Sequence, residues 1–358
     1  MALDSGLAPA AHDSLDGIAE PSEALHLVGH DEAARSIVSA YRAGHLHHAI
    51  MLAGPRGIGK ATLAFRIARH LAQQSDPADA AEAIPDPDPQ SSVYRQVASQ
   101  AHHSVLHITR PKNDSGTFKT RVTVDEIRRI GAFLSSRSFD GSWRTVIVDP
   151  ADDMNRNAAN ALLKNLEEPP ERTLFLIIAH QPSRLLPTIR SRCQTIRLRP
   201  LDDAQMLQAL QPMEVTIPQD AAERGAWFGR ARGSVRMAIL LAEYGGNDIM
   251  QAIGEATGGH AFGLEAAHKL ATALSGRSSD IGFTLYCDFL REGYADAARR
   301  TAETGQLAAA KRLADASGTF TDALNDTETY NLDRKQFVLA SLANYHDAIH
   351  GAERRFAG

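Results

Sequence analysis

An apolar run ending in glycine, AIMLAG at residues 49–54, passes through PRGIGK into KATLAFRIARHLAQQ, whose apolar residues recur at helical spacing. Strand, glycine-rich loop and helix in that order restrict the fold sharply. Such a loop turns its backbone N–H groups toward a polyphosphate, and the following helix presents its positive end there. Gly54, Gly57 and Gly59 permit the turn, and Lys60 is placed to reach the terminal phosphates. A glycine-rich turn without a ligand is the alternative. The flanking strand and helix are the context that favours phosphate.

The neighbouring sequence extends this unit. Buried strands are predicted at 104–109, 143–149, 173–179 and 194–200, alternating with helices. That alternation predicts an α/β class, a parallel sheet with helices on both faces. Two stretches, 75–92 and 110–120, carry the Pro, Asp, Asn, Ser and Gly of solvated loops. Thr123 followed by Glu126 has capping-box spacing in front of an apolar-periodic helix. After Pro200 the strands stop. The expected layout is a disordered tail over 1–23, an α/β domain over 24–200, a small helical domain over 201–248 and a larger helical one over 249–358.

Composition adds mainly exclusions. The chain has 358 residues and a net charge of -5, so no overall field recruits nucleic acid. Cys193 and Cys287 lie far apart without metal-ligand spacing, which fits a reducing cytoplasm and gives no zinc site. Cys193, with no local base beside it, is read as a packing residue. His102, His103 and His107 also lack ligand spacing. The first 23 residues contain no Lys or Arg and no long apolar run, so neither a secretory signal nor a membrane span is expected.

Hydrolysis needs more than a phosphate cradle. Phosphoryl transfer relies on Mg²⁺, and the loop hydroxyl after the lysine is one of its ligands. Ala61 stands there instead. Thr62 is one residue further, about 100° round the helix, and is read as an ordinary early-helix residue before a rescue. In VIVDPADDMN, Asp149 keeps the metal-holding carboxylate at a strand end, but Pro150 follows where an acid would polarise water. Asp152 and Asp153 are expected at the start of the next helix, where acids favour its dipole. Both defects predict a chain that binds ATP or ADP without hydrolysing it.

Three segments carry a family resemblance: LVGHDEAARSIVSAYRAGHLHHAIMLAGPRGIGK, VIVDPADDMNRNAANALLKNLEEPP and LLPTIRSRCQTIRLRPL. Together they resemble the AAA+ subunits of the bacterial DNA polymerase III clamp loader, and the defective sites are most similar to those of the delta-prime subunit family. NALLKNLEEPP and Ser191-Arg192-Cys193 are the most specific pieces. The resemblance, which spans residues 24–240, implies an AAA+ core, a helical lid and a helical collar that assembles into a five-membered hetero-oligomeric ring. The implied partners are the gamma/tau and delta subunits, a sliding clamp and, through the assembly, primed DNA. By motif position Arg192 is then the arginine finger for a neighbour's ATP, where local sequence alone suggests a surface ion pair. Arg236 in GSVRMA falls where a lid arginine meets phosphates, and His180 near a γ-phosphate sensor. The four-cysteine zinc module of many members is absent after the loop helix.

The leading expectation is therefore a non-hydrolysing ring subunit. An active AAA+ ATPase using Thr62 and a shifted carboxylate, similar to gamma/tau, is the second. An independent DNA-binding protein is disfavoured by the acidic balance, with Arg128 and Arg129 as residues through which a ring could contact phosphates.

Overall fold

The computed structural model describes residues 7–74, 76–114, 116–135, 141–276 and 279–353. Two compact units emerge, Met1–Ala238 and Ile239–Gly358, and each is described by itself.

The first unit is built on a five-stranded parallel sheet. Its strands are β1 (Ala49–Ala53), β2 (Val105–Ile108), β3 (Arg144–Val148), β4 (Thr173–Ala179) and β5 (Gln194–Arg197), in the order β2-β3-β4-β1-β5. Alternation along each strand divides the apolar residues between two cores. Met51, Val146, Val148, Phe175 and Ile177 face α4 (Val124–Ser135) and α5 (Arg156–Glu167). Ile50, Leu52, Ile147, Leu176 and Ile178 face α1 (Asp31–Arg42), α2 (Lys60–Gln73) and α3 (Ser92–Ala98). Near-continuous apolar strands are what burial on both faces requires.

Register fixes the functional end of the sheet. Ala53 pairs with Ala179 of β4 and Arg197 of β5, while Ile177 of β4 pairs with Val148 of β3. The loops after β1, β3 and β4 therefore leave the same edge, the carboxyl end where open α/β sheets bind ligands.

Helices α7 (Asp203–Leu210) and α8 (Ala221–Ala231) also belong to the first unit, and the division falls inside α9 (Val235–Glu243). Asp202 and Gln205 form a reciprocal capping box at α7 that the sequence reading overlooked. The Trp227 indole donates to the Ala238 carbonyl at 3.0 Å, tying α8 to α9. In the second unit, α10 (Gly246–Thr257), α11 (Leu264–Leu274), α12 (Asp280–Glu303), α13 (Leu307–Thr329) and α14 (Arg334–Glu353) bury Tyr286, Leu290, Tyr294, Phe320 and Leu342. Tyr286 is satisfied there by Ser341 at 2.6 Å.

The expectation of a disordered tail needs correction. Residues 1–6 of the expected disordered tail, and Ser75 and Ser115 of the expected solvated loops, lie outside the described residues. From Leu7 onward, however, the tail is docked: Leu15 is buried, Ser22 donates to the Ala98 carbonyl at 3.1 Å, and Arg69 donates to Ser22 at 2.6 Å. Individual side chains hold it without any periodic pattern. Within 75–92, Asp86 accepts from the buried Arg66 at 2.5 Å, so that loop is pinned to α2.

Candidate functional site

The loop from Gly54 to Lys60 joins β1 to α2 as expected. Gly57 has φ +76°, and a Cβ there would lie 2.4 Å from Ser234 Oγ and 2.5 Å from Arg236 Cβ. This glycine is required by backbone conformation and by the close approach of the segment opening α9. Gly59, at φ +97°, turns the chain into α2. His30 braces the loop through a 2.6 Å contact with the Ile58 carbonyl.

Lys60 is buried, and its ammonium folds back onto the loop, donating to Gly54 O at 2.8 Å and to Pro55 O. Burial pushes its pKa down, while Asp149 and Asp152 act in the opposite direction. Burial in turn raises the Asp149 carboxyl, and the negative Asp13 adds to the rise against Lys60 and Arg56. Lys60 and Asp149 thus share one electrostatic environment. Thr62 is half-buried in the first turn of α2, and Ala61 packs against the apolar core.

The acids after Pro150 sit in a short 3₁₀ helix and do not open α5. Residues 151–153 form a 3₁₀ turn, and α5 begins later with Asn155 as its cap, accepting from the Ala158 N–H at 2.8 Å. Both Asp152 oxygens accept backbone N–H groups beyond β4, from His180 at 3.1 Å and Gln181 at 2.9 Å. Asp153 binds Arg110 Nε at 2.7 Å. Neither acid is placed as the lost water-polarising group; each holds a loop. The sequence expectation failed because the partners are distant in the chain.

His180 is held by that Asp152 contact, and burial keeps its ring neutral well below the usual histidine range. Arg236 opens α9 against the loop, with its backbone N–H directed at the Gly57 carbonyl at 3.4 Å. Its guanidinium donates to the Asp13 carbonyl. Arg56, which sequence reasoning passed over although it lies inside the loop motif, binds the Asp13 carboxylate at 3.3 Å.

These groups suit a polyphosphate better than its metal. Loop N–H groups, Lys60, Arg56 and Arg236 form a cationic surround. For magnesium, Ala61 and Pro150 offer no side-chain oxygen, Asp152 and Asp153 are engaged, and Asp149 is the remaining acid. Among the described residues no cluster of three His, Cys, Asp or Glu side chains could hold a metal. His102 instead contacts Ser104 at 2.9 Å, and His107 packs edge-on to Phe65.

Arg192 is elsewhere. It lies between α6 (Pro187–Arg190) and β5, ion-paired with Glu167 at 2.7 Å and donating to the Thr188 carbonyl at 3.0 Å. Because β5 begins opposite Ile50 while the loop leaves β1 beyond Ala53, Arg192 sits at the amino end of the strands. About 10 Å of strand separates the two ends. The Arg192 side chain is about one-third exposed, and such a pair is worth at most about 1 kcal/mol. Thermal denaturation of Glu167→Gln should therefore differ from the natural chain by less than about 1 kcal/mol; a larger loss would show that the pair is structural.

The chain matches known proteins over this same region. The profile of the family described as DNA polymerase III, delta subunit, matches residues 29–202. The DNA polymerase III subunit delta′ of Pseudomonas aeruginosa is 40% identical over 152 residues, covering 42% of this chain and 43% of that protein. Its Escherichia coli counterpart is 32% identical over 187 residues, 52% of each. The subunit gamma of Buchnera aphidicola is 27% identical, covering 61% of this chain and 57% of that protein. The chain spans about half the length of the curated relatives it matches. No helix among the described residues is long and apolar enough to cross a membrane. Over residues 29–202 the chain is similar to the family described as DNA polymerase III, delta subunit, and to the delta′ subunits of Pseudomonas aeruginosa and Escherichia coli.

Proposed function

We propose that the chain is a non-hydrolysing subunit of a DNA polymerase III clamp loader, which supplies Arg192 to the ATP of an adjacent subunit while the assembly places a sliding clamp on primed DNA. The observation that carries this reading is the separation of Arg192 from the chain's own loop. A partly exposed guanidinium at the amino end of the strands is unable to serve Lys60 and Asp149 at the carboxyl end. It is free to reach a nucleotide bound outside this chain. Planar, permanently charged guanidinium is the group suited to stabilising a transferring phosphoryl group.

The chain's own site complements that role by its deficiencies. Bound ATP or ADP would supply phosphates for Lys60, Arg56 and Arg236 to hold, but the protein provides neither the loop hydroxyl nor an acid at position 150. We assign α7 to α9 as a lid and the helices of the second unit as a collar contacting gamma/tau and delta subunits in a five-membered ring. A heterologous arrangement of that kind brings different faces of neighbours together. The replication role places the protein in the cytoplasm.

Magnesium dependence tests the lapse of the site. In the natural chain, the ADP dissociation constant should change by less than about threefold on adding Mg²⁺, whereas Ala61→Ser should widen that ratio. Strong dependence in the natural chain would contradict the assignment. A second reading, an active ATPase, draws on the retained Lys60 and on the similarity to gamma subunits. ATP hydrolysis by the purified chain that Lys60→Ala abolishes would establish it instead.

A further inference from the structure

We propose that residues 8–23 are a tethered occupant of the phosphate site, in which Asp13 takes at Arg56 and Arg236 the place a nucleotide's phosphate oxygens would take, so that nucleotide must expel the segment to bind. Both arginines flank the glycine loop: Arg56 lies within it, and Arg236 packs on Gly57. Asp13 engages both at once, its carboxylate meeting Arg56 at 3.3 Å and its carbonyl accepting from Arg236. Carboxylate and phosphate present similar oxygen acceptors to a guanidinium fork.

The segment is anchored on both sides of this contact. Leu15 is 6% exposed. Ser22 bonds to Ala98, the Ala8 N–H donates to Glu23 at 3.1 Å, and Tyr94 donates to the Glu23 carbonyl at 2.7 Å. His12, just before Asp13, places its imidazole 3.4 Å from Thr109 at the end of β2. The segment thus runs across the carboxyl edge of the sheet and is not merely adjacent to the loop.

Electrostatics agree with the geometry. Burial disfavours a charged Asp13, yet the surrounding cations, His12 in the acid range and Arg56 and Arg236 throughout, hold its carboxyl far below the ordinary range. An anion is therefore stable where a phosphate would be stable. Lys60, meanwhile, is satisfied by loop carbonyls. A tethered group acts at an effective concentration in the mM range. If the open state is a tenth or less of the population, apparent nucleotide affinity falls by about tenfold or more.

The inference rests on the glycine loop being the phosphate site, so the experiment separates the two ideas. ADP, without Mg²⁺, is titrated into the full chain, into Asp13→Ala/Leu15→Ala, which detaches the segment, and into Asp13→Asn, which keeps its shape. The doubly substituted chain should bind ADP at least about tenfold more tightly than the natural one, with Asp13→Asn between them. Equal affinities, including no binding to any of the three, overturn the proposal. Adding Lys60→Ala to the detached variant should remove the gain; a gain that survives would show that ADP binds elsewhere and overturn it too. Hydrogen exchange on the natural chain gives a readout that needs no variant. Amides at 8–23 should exchange slowly, and free exchange would show that the segment is not docked.

Discussion

Replacing Arg192 by alanine in the reassembled ring is expected to slow hydrolysis at the one nucleotide facing it by about 10³-fold or more, the scale of an arginine finger. Assembly should be unchanged, because among the described residues Arg192 is ion-paired to Glu167 of its own chain and that pair contributes little to stability. The same weak pairing lets the guanidinium exchange a carboxylate for a neighbour's phosphate at small cost. Lysine should rescue poorly, since a point charge does not reproduce the planar fork. Single-turnover hydrolysis, with the ring's composition checked by gel filtration, separates the two effects. An unchanged rate would remove Arg192 from the role; a ring that fails to assemble would make it an interface residue.

The strand, loop and helix around Lys60 were legible because each rests on local periodicity and on glycine spacing, and the sheet places Asp149 beside that loop through strand pairing. Ala61 and Pro150 could be read as losses for the same reason: the chemistry needs a particular oxygen at a particular position. Asp152 and Asp153 could not be read this way. Whether an acid caps a helix or a distant loop is decided by what folding brings alongside, and His180 lies 28 residues beyond Asp152. Asp13 is the extreme case. Its partners are 43 and 223 residues away, and no pattern within MALDSGLAPAAHDSLDG announces either arginine. Gly57 was assigned to phosphate approach, and the structure adds a packing reason in Ser234 and Arg236.

Acid should destabilise the first unit steeply between pH 6.5 and about 4, and His107 should account for a large part of the slope. Its ring lies on β2 against Phe65, and neither nitrogen has a hydrogen-bond partner among the described residues. Burial lowers its pKa from 6.5 to about 4. The unfolded chain therefore takes up a proton near pH 6.5 that the folded ring refuses until about pH 4. Stability is fully present above that window and declines through it, by about 3 kcal/mol for this one group. His12, also lowered to about 4 by burial, adds to the loss over the same range. His107→Phe keeps a flat ring but cannot be protonated, so its stability should fall by about 3 kcal/mol less than the natural chain's between pH 7 and 4. Both tryptophans, Trp143 and Trp227, lie in the first unit, so denaturant titrations followed by their fluorescence report on the unit that holds His107. Parallel curves for the two proteins would show that this histidine takes up its proton in the folded state at its ordinary pKa. At pH 7 the substituted chain should be no less stable than the natural one, because phenylalanine removes two buried nitrogens that the fold leaves unpaired.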